Sequence, residues 1–572
     1  MSGAAPPPHP GPALAAMNAR ITQHLEALYG PAEAAAWAVK IAARLDRFRA
    51  EQANRPGRGA AATLTERDAL LIAYADQVRE PGRAPLAALG GFAHAHLRGV
   101  VSGIHLLPFY PWSSDDGFSV KDFFAVAPEY GTWADLRRLG AEFELMFDAV
   151  FNHMSVEGEW FRRFLAGDPA YRDFFVTVAG EPDLSAVIRP RERPLLTEFN
   201  RAGGPRKVWT TFSADQADLN YRNPAVLAAV LDALLFYVQQ GARFIRLDAI
   251  AFLWKEIGTP CLHLSQTHRL VQLMRAVLDE VAPHILLVTE TNVAHRDNLS
   301  YFGDGTNEAQ LVYNFALPPL VLHAMQTGNA EKLTRWARSL ALPSDRVTFF
   351  NFLASHDGIG LNPARGILSD AEIAALVRRT EKHGGFISRR NMPDGSQAPY
   401  EMNISYLDAL SNPAMAETPE LSARRFLTTQ AIMLCLQGVP GIYFHSLFGS
   451  RGDRRGAEAS GIKRRINREK LERRRLEAGL ADSTSTPARV FGGYRALLEF
   501  RRTHPALAPA APQRVLDLDP RVFAVLRATR DGRDRVLCLH NVSAGEVVVQ
   551  PMDPDAGDQK IAAWGHRWLP LS

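Results

Sequence analysis

The sequence contains few cysteines, three in 572 residues. Cys261, Cys435 and Cys538 lie far apart in apolar or mixed runs, and none belongs to a CxxC pair. This scarcity argues against a disulfide framework and against a cysteine-ligated zinc site, and it favours a reducing compartment. The sequence also lacks HExxH, so no common metal-ligand spacing stands out.

Long hydrophobic runs are missing as well. No stretch approaches the ~18 to 20 apolar residues of a membrane span, and residues 1–16 have neither a basic start nor a continuous apolar segment. The sequence therefore predicts a soluble cytoplasmic protein with no membrane partner.

An excess of charge of one sign is also absent. The chain carries 65 basic and 61 acidic residues, spread along its length, for a net charge of +4. Such a balance gives no indication of a nucleic-acid partner. With 47% hydrophobic residues the chain can bury a large core, so several domains or one large barrel with appendages is expected. Either a monomer or a homodimer is compatible with the sequence.

Short apolar segments alternate with amphipathic helical stretches from Leu70 onward. This alternation predicts an α/β fold of the (β/α)₈ barrel type, with the chemistry at the carboxyl ends of the strands. A doubly wound open sheet is the alternative. The predicted strands are 70–74, 103–109, 144–151, 243–248, 285–290, 311–315, 347–354 and 441–445.

Changes in composition divide the chain further. Residues 1–66 are predicted to form a helical N-terminal extension, and 505–572 a small antiparallel β domain. The barrel takes residues 67–153 and 223–504. Two insertions are too long for ordinary barrel loops and are predicted to cover the active site: an inserted lid domain at 154–222 and a second lid at 358–412.

The predicted fourth strand ends in Arg246-Leu-Asp248. Residues two apart on a strand share one face, so the arginine is expected to lie beside the carboxylate. A neighbouring cation favours the ionised carboxylate, which suits a nucleophile. The alternative is an ion pair that only fixes a loop at the end of the strand.

Acids also end the predicted fifth and seventh strands, at Glu290 and Asp357. Three acids that converge with Asp248 from different strands suit glycosidic-bond chemistry, in which one carboxylate attacks the anomeric carbon and another protonates the departing oxygen. The apolar strand before Glu290 predicts a raised pKa for that residue. For each acid alone, an ordinary cap or ion pair is the competing interpretation.

The motifs at 148–153, 246–248, 290 and 356–357, in this order, resemble the four conserved regions of the α-amylase family, glycoside hydrolase family 13. This resemblance implies that Asp248 is the nucleophile, Glu290 the general acid/base and Asp357 the residue that orients the sugar hydroxyls. It further implies sugar-contacting roles for three residues: His153, Arg246 and His356.

Several stretches are similar to the sucrose phosphorylase subfamily, among them Leu-Pro-Phe-Tyr-Pro at 107–111 and Ser-Asp-Asp-Gly-Phe at 114–118. The resemblance implies that Phe118 contacts the sugar and that Asp115 pairs with Arg464 to close the glucose pocket. A bidentate pair there would admit one terminal glucosyl unit. Alternatively, Asp115 caps a turn and Arg464 lies on a solvated helix.

By the same resemblance, Arg191 and Tyr400 match phosphate-contacting positions. The sequence departs from sucrose phosphorylase around them, and 189–197, 388–403 and 441–447 look more like the glucosylglycerate phosphorylases of the subfamily. That likeness puts fructose as acceptor in doubt. Glycerate carries a carboxylate, and the second lid offers four residues to meet it: Lys382, His383, Arg389 and Arg390.

The sequence thus predicts a retaining α-glucosyl phosphorylase acting on a small sugar substrate, with inorganic phosphate as co-substrate and no organic cofactor. Glucosylglycerate is the first choice of substrate; sucrose, sucrose 6′-phosphate and glucosylglycerol are alternatives. Some α-amylases hold calcium near the position of Asn152, but no further carboxylate-rich loop accompanies it, so no metal is expected. An α-glucoside hydrolase or transglucosidase, and an inactive binding subunit, remain competing hypotheses.

Overall fold

A computed structural model describes residues 12–52, 63–190, 194–391, 396–551, 553 and 555–571. Eight parallel strands, named β1 to β8 in chain order, close into a barrel. The barrel confirms the predicted (β/α)₈ fold, and each predicted strand overlaps one of the eight observed strands. Their bounds are Leu70–Ala73, Gly103–Leu106, Glu144–Ala149, Ala242–Leu247, Leu286–Thr289, Leu311–Tyr313, Thr348–Asn351 and Val439–Tyr443.

Helices surround this barrel and precede it. The helix before β4, Pro224–Gln239, illustrates how the sequence sets its limits: the Asn223 side chain accepts a hydrogen bond from the Ala225 amide at 3.0 Å, and Gly241 has a φ of +98° that ends the helix. The α-helices are Pro12–Tyr29, Pro31–Gln52, Pro85–His96, Trp133–Gly140, Glu159–Leu165, Pro224–Gln239, Ser265–Val281, His295–Leu299, Leu317–Thr327, Glu331–Ser339, Asp370–Lys382, Tyr406–Leu410, Pro419–Cys435, Phe444–Leu447, Arg454–Ser460, Arg473–Ala481 and Thr486–Arg502.

Small sheets follow β3 and β7 along the chain. After β3, strand His153–Ser155 pairs with Gln216–Asp218, and a three-stranded sheet forms from Thr177–Val178, Arg206–Trp209 and Leu196–Phe199. After β7, a second three-stranded sheet joins Ile359–Gly360, Gln397–Asn403 and Phe386–Asn391. These sheets occupy the stretches predicted as lids.

Antiparallel sheets follow the last helix. A four-stranded sheet consists of Gln513–Asp519, Val522–Ala528, Arg535–Asn541 and His566–Leu571, and a two-stranded sheet of Val547–Val549 and Gln559–Ile561. All six strands lie within the stretch 505–572, which was predicted to form antiparallel β structure.

The hydrophobic core runs from the N-terminal helices through the barrel to the first C-terminal sheet. Cys261, Cys435 and Cys538 are free and buried. Within the described ranges, no helix has both the length and the hydropathy needed to cross a membrane.

Candidate active site

The carboxyl ends of the barrel strands and the second lid border one cavity of about 280 Å³. Asp248 follows β4, Glu290 follows β5, and Asp357 lies beyond β7. Nine predicted site residues line the cavity: Asp115, Phe118, His153, Asp248, Glu290, His356, Asp357, Tyr400 and Arg464. Arg246 is buried next to Asp248. Arg191 lies outside the described residues.

Arg246 is the centre of the charged network, with only 1% of its surface exposed. Its Nη1 atom donates to Asp248 Oδ1 at 2.7 Å and also to Asp148 on the neighbouring strand β3, and its Nη2 atom lies 3.9 Å from Glu290 Oε2. His105 Nε2 lies 2.7 Å from Asp148 Oδ2, and both side chains are fully buried. One guanidinium is therefore shared among three carboxylates.

Arg246 favours the ionised form of Asp248 in the expected direction, but its charge is shared with two other carboxylates. Burial raises the pKa of Asp248 well above its ordinary value, Arg246 opposes the rise, and Glu290, Asp148 and Asp357 add to it. Asp148 takes part of the available positive charge: despite burial, Arg246 and His105 hold the pKa of Asp148 below its ordinary value.

Glu290 has a raised pKa, in the predicted direction. Burial is the main cause, Arg246 opposes it, and the Asp357 carboxylate adds to it. The Glu290 Oε2 atom accepts a hydrogen bond from the Ala249 amide at 3.2 Å, and Ala249 has a φ of +50°. Because Asp248 and Glu290 both have raised pKa values, the pair retains protons at a higher pH than two isolated carboxyl groups.

Asp357 is held by two arginines of the segment 464–468. Its Oδ1 atom lies 2.6 Å from Arg464 Nη1 and 3.3 Å from Arg468 Nη2. Although burial favours the protonated form, Arg464, His356 and Arg468 lower the pKa of Asp357. The two arginines therefore hold Asp357 in its ionised form.

Asp115 and Arg464 interact electrostatically, and each also has other charged partners. Asp115 Oδ1 lies 3.6 Å from Arg468 Nη1, whereas Arg464 forms its ion pairs with Asp357 and, in bidentate form at 2.9 and 3.1 Å, with Glu401. Glu401 is 1% exposed, so this bidentate pair lies in the protein interior. Asp115 and Arg464 nevertheless border the same cavity.

Aromatic and imidazole rings form another wall. The Phe118 and His356 rings stack with centroids 4.8 Å apart and planes 6° from parallel. His153 Nε2 lies 2.9 Å from the Phe118 carbonyl oxygen, so the histidine also fixes the loop that carries Phe118. Burial lowers the pKa of both His153 and His356, which keeps the two rings neutral near pH 7.

The ammonium group of Lys255 lies next to Asn152. Lys255 Nζ lies 2.8 Å from Asn152 Oδ1 and 2.5 Å from Asp218 Oδ2, and all three residues are buried. The oxygen ligands that a cation would use are thus engaged by a lysine. In the described part of the chain, no cluster of three or more histidine, cysteine or acidic residues is placed to hold a metal. Metal independence stays a prediction.

Replacing Lys255 with methionine is expected to lower the free energy of unfolding by about 3–5 kcal/mol, because Asp218 is then a buried charge without its cation. Urea unfolding measures the loss. As a control, Lys121→Met removes an exposed pair with Glu157 at 3.3 Å and should cost at most about 1 kcal/mol. Equal small losses of stability in both variants would contradict this prediction. They would mean that hydrogen bonds from Asn152 and Thr211 stabilise the buried Asp218 carboxylate without the lysine.

Residues of the segment 358–412, the predicted second lid, also line the cavity. Tyr400 and Arg390 lie on its paired strands, and Arg365 follows the strand Ile359–Gly360. The sequence analysis missed Arg365, Glu401 and Arg468 as site residues. Arg468 ends the sequence Arg464-Arg-Ile-Asn-Arg468, so its nearness to Arg464 was the available signal. Only the fold brings Arg365 to the cavity and Glu401 to Arg464.

The comparisons with known proteins agree with this geometry. Residues 98–358 match the model of the alpha amylase catalytic domain. The glucosylglycerate phosphorylase of Allomeiothermus silvanus is 52% identical over 92% of this chain and 93% of its own length. That of Escherichia coli K12 is 45% identical over 97% of this chain and 100% of its own length. The chain therefore belongs to the α-amylase family, glycoside hydrolase family 13.

More distant relatives carry other names. A sucrose phosphorylase of Agrobacterium vitis is 30% identical over 76% of this chain and 88% of its own length. The crystal structure of the sucrose 6F-phosphate phosphorylase from Thermoanaerobacter thermosaccharolyticum matches with a TM-score of 0.75 at 21% identity, over 89% of this chain and 100% of that one. The likeness to the solved structure concerns the fold alone.

Proposed function

We propose that this protein is a retaining α-glucosyl phosphorylase, which converts glucosylglycerate and inorganic phosphate into α-D-glucose 1-phosphate and glycerate. The observation that carries the chemistry is the meeting of Asp248, Glu290 and Asp357 in one cavity. The choice of glycerate rests on the glucosylglycerate phosphorylases, which are 45% and 52% identical over nearly the whole chain.

In the first step, the Asp248 carboxylate attacks the anomeric carbon. The bond from this carbon to the acceptor oxygen breaks, and the electron pair of that bond stays on the oxygen, which receives the proton of Glu290. The shared guanidinium of Arg246 holds both carboxyl groups close together, as a retaining reaction requires. The raised pKa of Glu290 favours the protonated form that this step needs.

In the second step, an oxygen of phosphate attacks the β-glucosyl ester. The ester bond to Asp248 breaks and returns the carboxylate, while ionised Glu290 accepts the proton from phosphate. Phosphate must approach from the face that the acceptor has left. We place Tyr400 and Arg191 at this position, as the resemblance implies; Tyr400 lines the cavity beside Arg390.

Asp357, fixed in its ionised form by Arg464 and Arg468, is proposed to accept hydrogen bonds from the sugar hydroxyls. The stacked pair of Phe118 and His356 offers an apolar wall for the same glucosyl unit. His153 and Asp115 complete the lining on this side. Together these residues suit one terminal glucosyl unit.

Purified protein with phosphate should release glucose 1-phosphate from glucosylglycerate at least ten times faster than from sucrose, sucrose 6′-phosphate or glucosylglycerol. A coupled glucose 1-phosphate assay on this panel measures the preference. Omitting phosphate serves as the control and should nearly abolish turnover. Release of glucose at equal rates with and without phosphate would instead identify a hydrolase, the main competing function.

The cellular setting is proposed from the sequence. We expect a cytoplasmic protein that acts on small sugars and phosphate without an organic cofactor or metal. A monomer and a homodimer both remain possible assemblies.

A further inference from the structure

Two arginines meet on the lid side of the cavity. Arg365 and Arg390 both line it together with Tyr400. The Nε atom of each arginine is buried and has no hydrogen-bond partner among the residues that the structure describes. A buried guanidinium N–H without an acceptor is costly, so these two donors indicate that an acceptor group belongs there.

Their charges are poorly balanced by the protein. Within the described ranges, no carboxylate lies within ion-pair distance of Arg390, and burial together with the nearby Arg365 lowers the pKa of Arg390. Arg365 lies 3.6 Å from Asp370, but the Asp370 side chain is 96% exposed, so water screens this pair. Arg365 is held in place by the Pro399 carbonyl, to which its Nη2 atom donates at 3.2 Å.

The fold fixes which of the lid cations reach the cavity. Arg390 lies opposite Ala398 on the paired strands, and a register shift near this pair leaves Tyr400 unpaired in the ladder. Arg390 and Tyr400 both line the cavity. Arg389 is the neighbouring residue on the same strand and is exposed, as is Lys382. The buried His383 has its Nδ1 atom 2.6 Å from the Asp408 carbonyl oxygen. Of the four lid candidates from the sequence, only Arg390 is available to a ligand in the cavity.

We propose that Arg365 and Arg390 form the subsite that binds the carboxylate of the departing acceptor. This inference rests on the proposed function and deepens it: it names the residues that select an acidic acceptor over a neutral one. Guanidinium groups bind carboxylates through directed, charge-assisted hydrogen bonds. Both cations lie in the cavity that contains Glu290, which protonates the acceptor oxygen in the proposed mechanism.

The test compares glucosylglycerate with glucosylglycerol, which lacks the carboxylate. In Arg390→Gln and Arg365→Gln, the ratio of the two kcat/KM values at saturating phosphate should shift about 10- to 100-fold toward glucosylglycerol. Arg389→Gln is the matched control, since it removes a neighbouring exposed arginine, and its ratio should stay within about twofold of the unmodified protein. The KM for phosphate is measured in parallel for each variant.

Two outcomes would overturn the inference. Equal losses with both substrates would assign the arginines a structural role. A rise in the KM for phosphate with both substrates, at an unchanged ratio of the two kcat/KM values, would assign the arginines to phosphate binding.

If the unmodified protein releases no glucose 1-phosphate from glucosylglycerate, the proposed function fails by itself. Calorimetric titration with D-glycerate and with glycerol then tests the subsite. Binding of glycerate that is lost in the double variant supports the subsite, and no difference between the proteins contradicts it.

Discussion

Replacing Asp248 with asparagine should lower kcat/KM for phosphorolysis by about 10⁴-fold or more. The amide keeps the shape of the side chain and can still contact Arg246, but it cannot form the glucosyl ester on which both steps depend. The loss should extend to α-glucosyl fluoride, whose departure needs no proton, because the nucleophile acts on every substrate. Single-turnover kinetics with both substrates measure the effect.

The matched control for this variant is Asp517→Asn, since the Asp517 side chain is 76% exposed in the C-terminal sheet. It should keep kcat/KM within about twofold. Circular dichroism and the unfolding midpoint show whether Asp248→Asn is folded. A folded Asp248→Asn protein with activity within tenfold of the original would contradict a nucleophilic role, and it would favour the hypothesis of an ordinary ion pair at the end of β4.

Replacing Glu290 with glutamine should lower kcat/KM for glucosylglycerate by about 10²- to 10⁴-fold, the usual contribution of general acid catalysis. With α-glucosyl fluoride, the rate of the first step should fall much less in this variant, since fluoride leaves without protonation. This selectivity distinguishes Glu290 from Asp248. Rapid-quench measurement of fluoride release, compared with glucosylglycerate turnover, tests it.

The pH dependence gives a second readout of Glu290. The protonated form donates in the first step, so this step should slow as pH rises through the raised pKa of the pair. In Glu290→Gln, this loss at high pH should disappear from glucosylglycerate turnover, and fluoride release should lack it in both proteins. Equal losses with both substrates and an unchanged pH profile would mean that Glu290 is not the acid.

The barrel could be predicted from local signals alone. Each strand is short and apolar, and helix limits such as Asn223 and Gly241 are set by neighbouring residues. The order of the acids along the chain placed them at the carboxyl ends of β4, β5 and β7, where the structure has them. These features depend on periodicity and capping, which a sequence displays directly.

The charge distribution could not be predicted in the same way. Asp148 lies 98 residues from Arg246 along the chain and competes with Asp248 for the same guanidinium. Arg464 pairs with Glu401, 63 residues away, instead of with Asp115 alone. Such pairings depend on strand register and on the position of the second lid. The sequence around Arg246 indicates its partner Asp248 but not its partners Asp148 and Glu290.

The central claim is a double displacement through Asp248 that ends in phosphate transfer with retained configuration. The most direct test is ³¹P and ¹H NMR of the first product formed from glucosylglycerate and phosphate. The account predicts α-D-glucose 1-phosphate as the initial sugar product. Initial formation of β-D-glucose 1-phosphate, or of free glucose at a rate independent of phosphate, would contradict it.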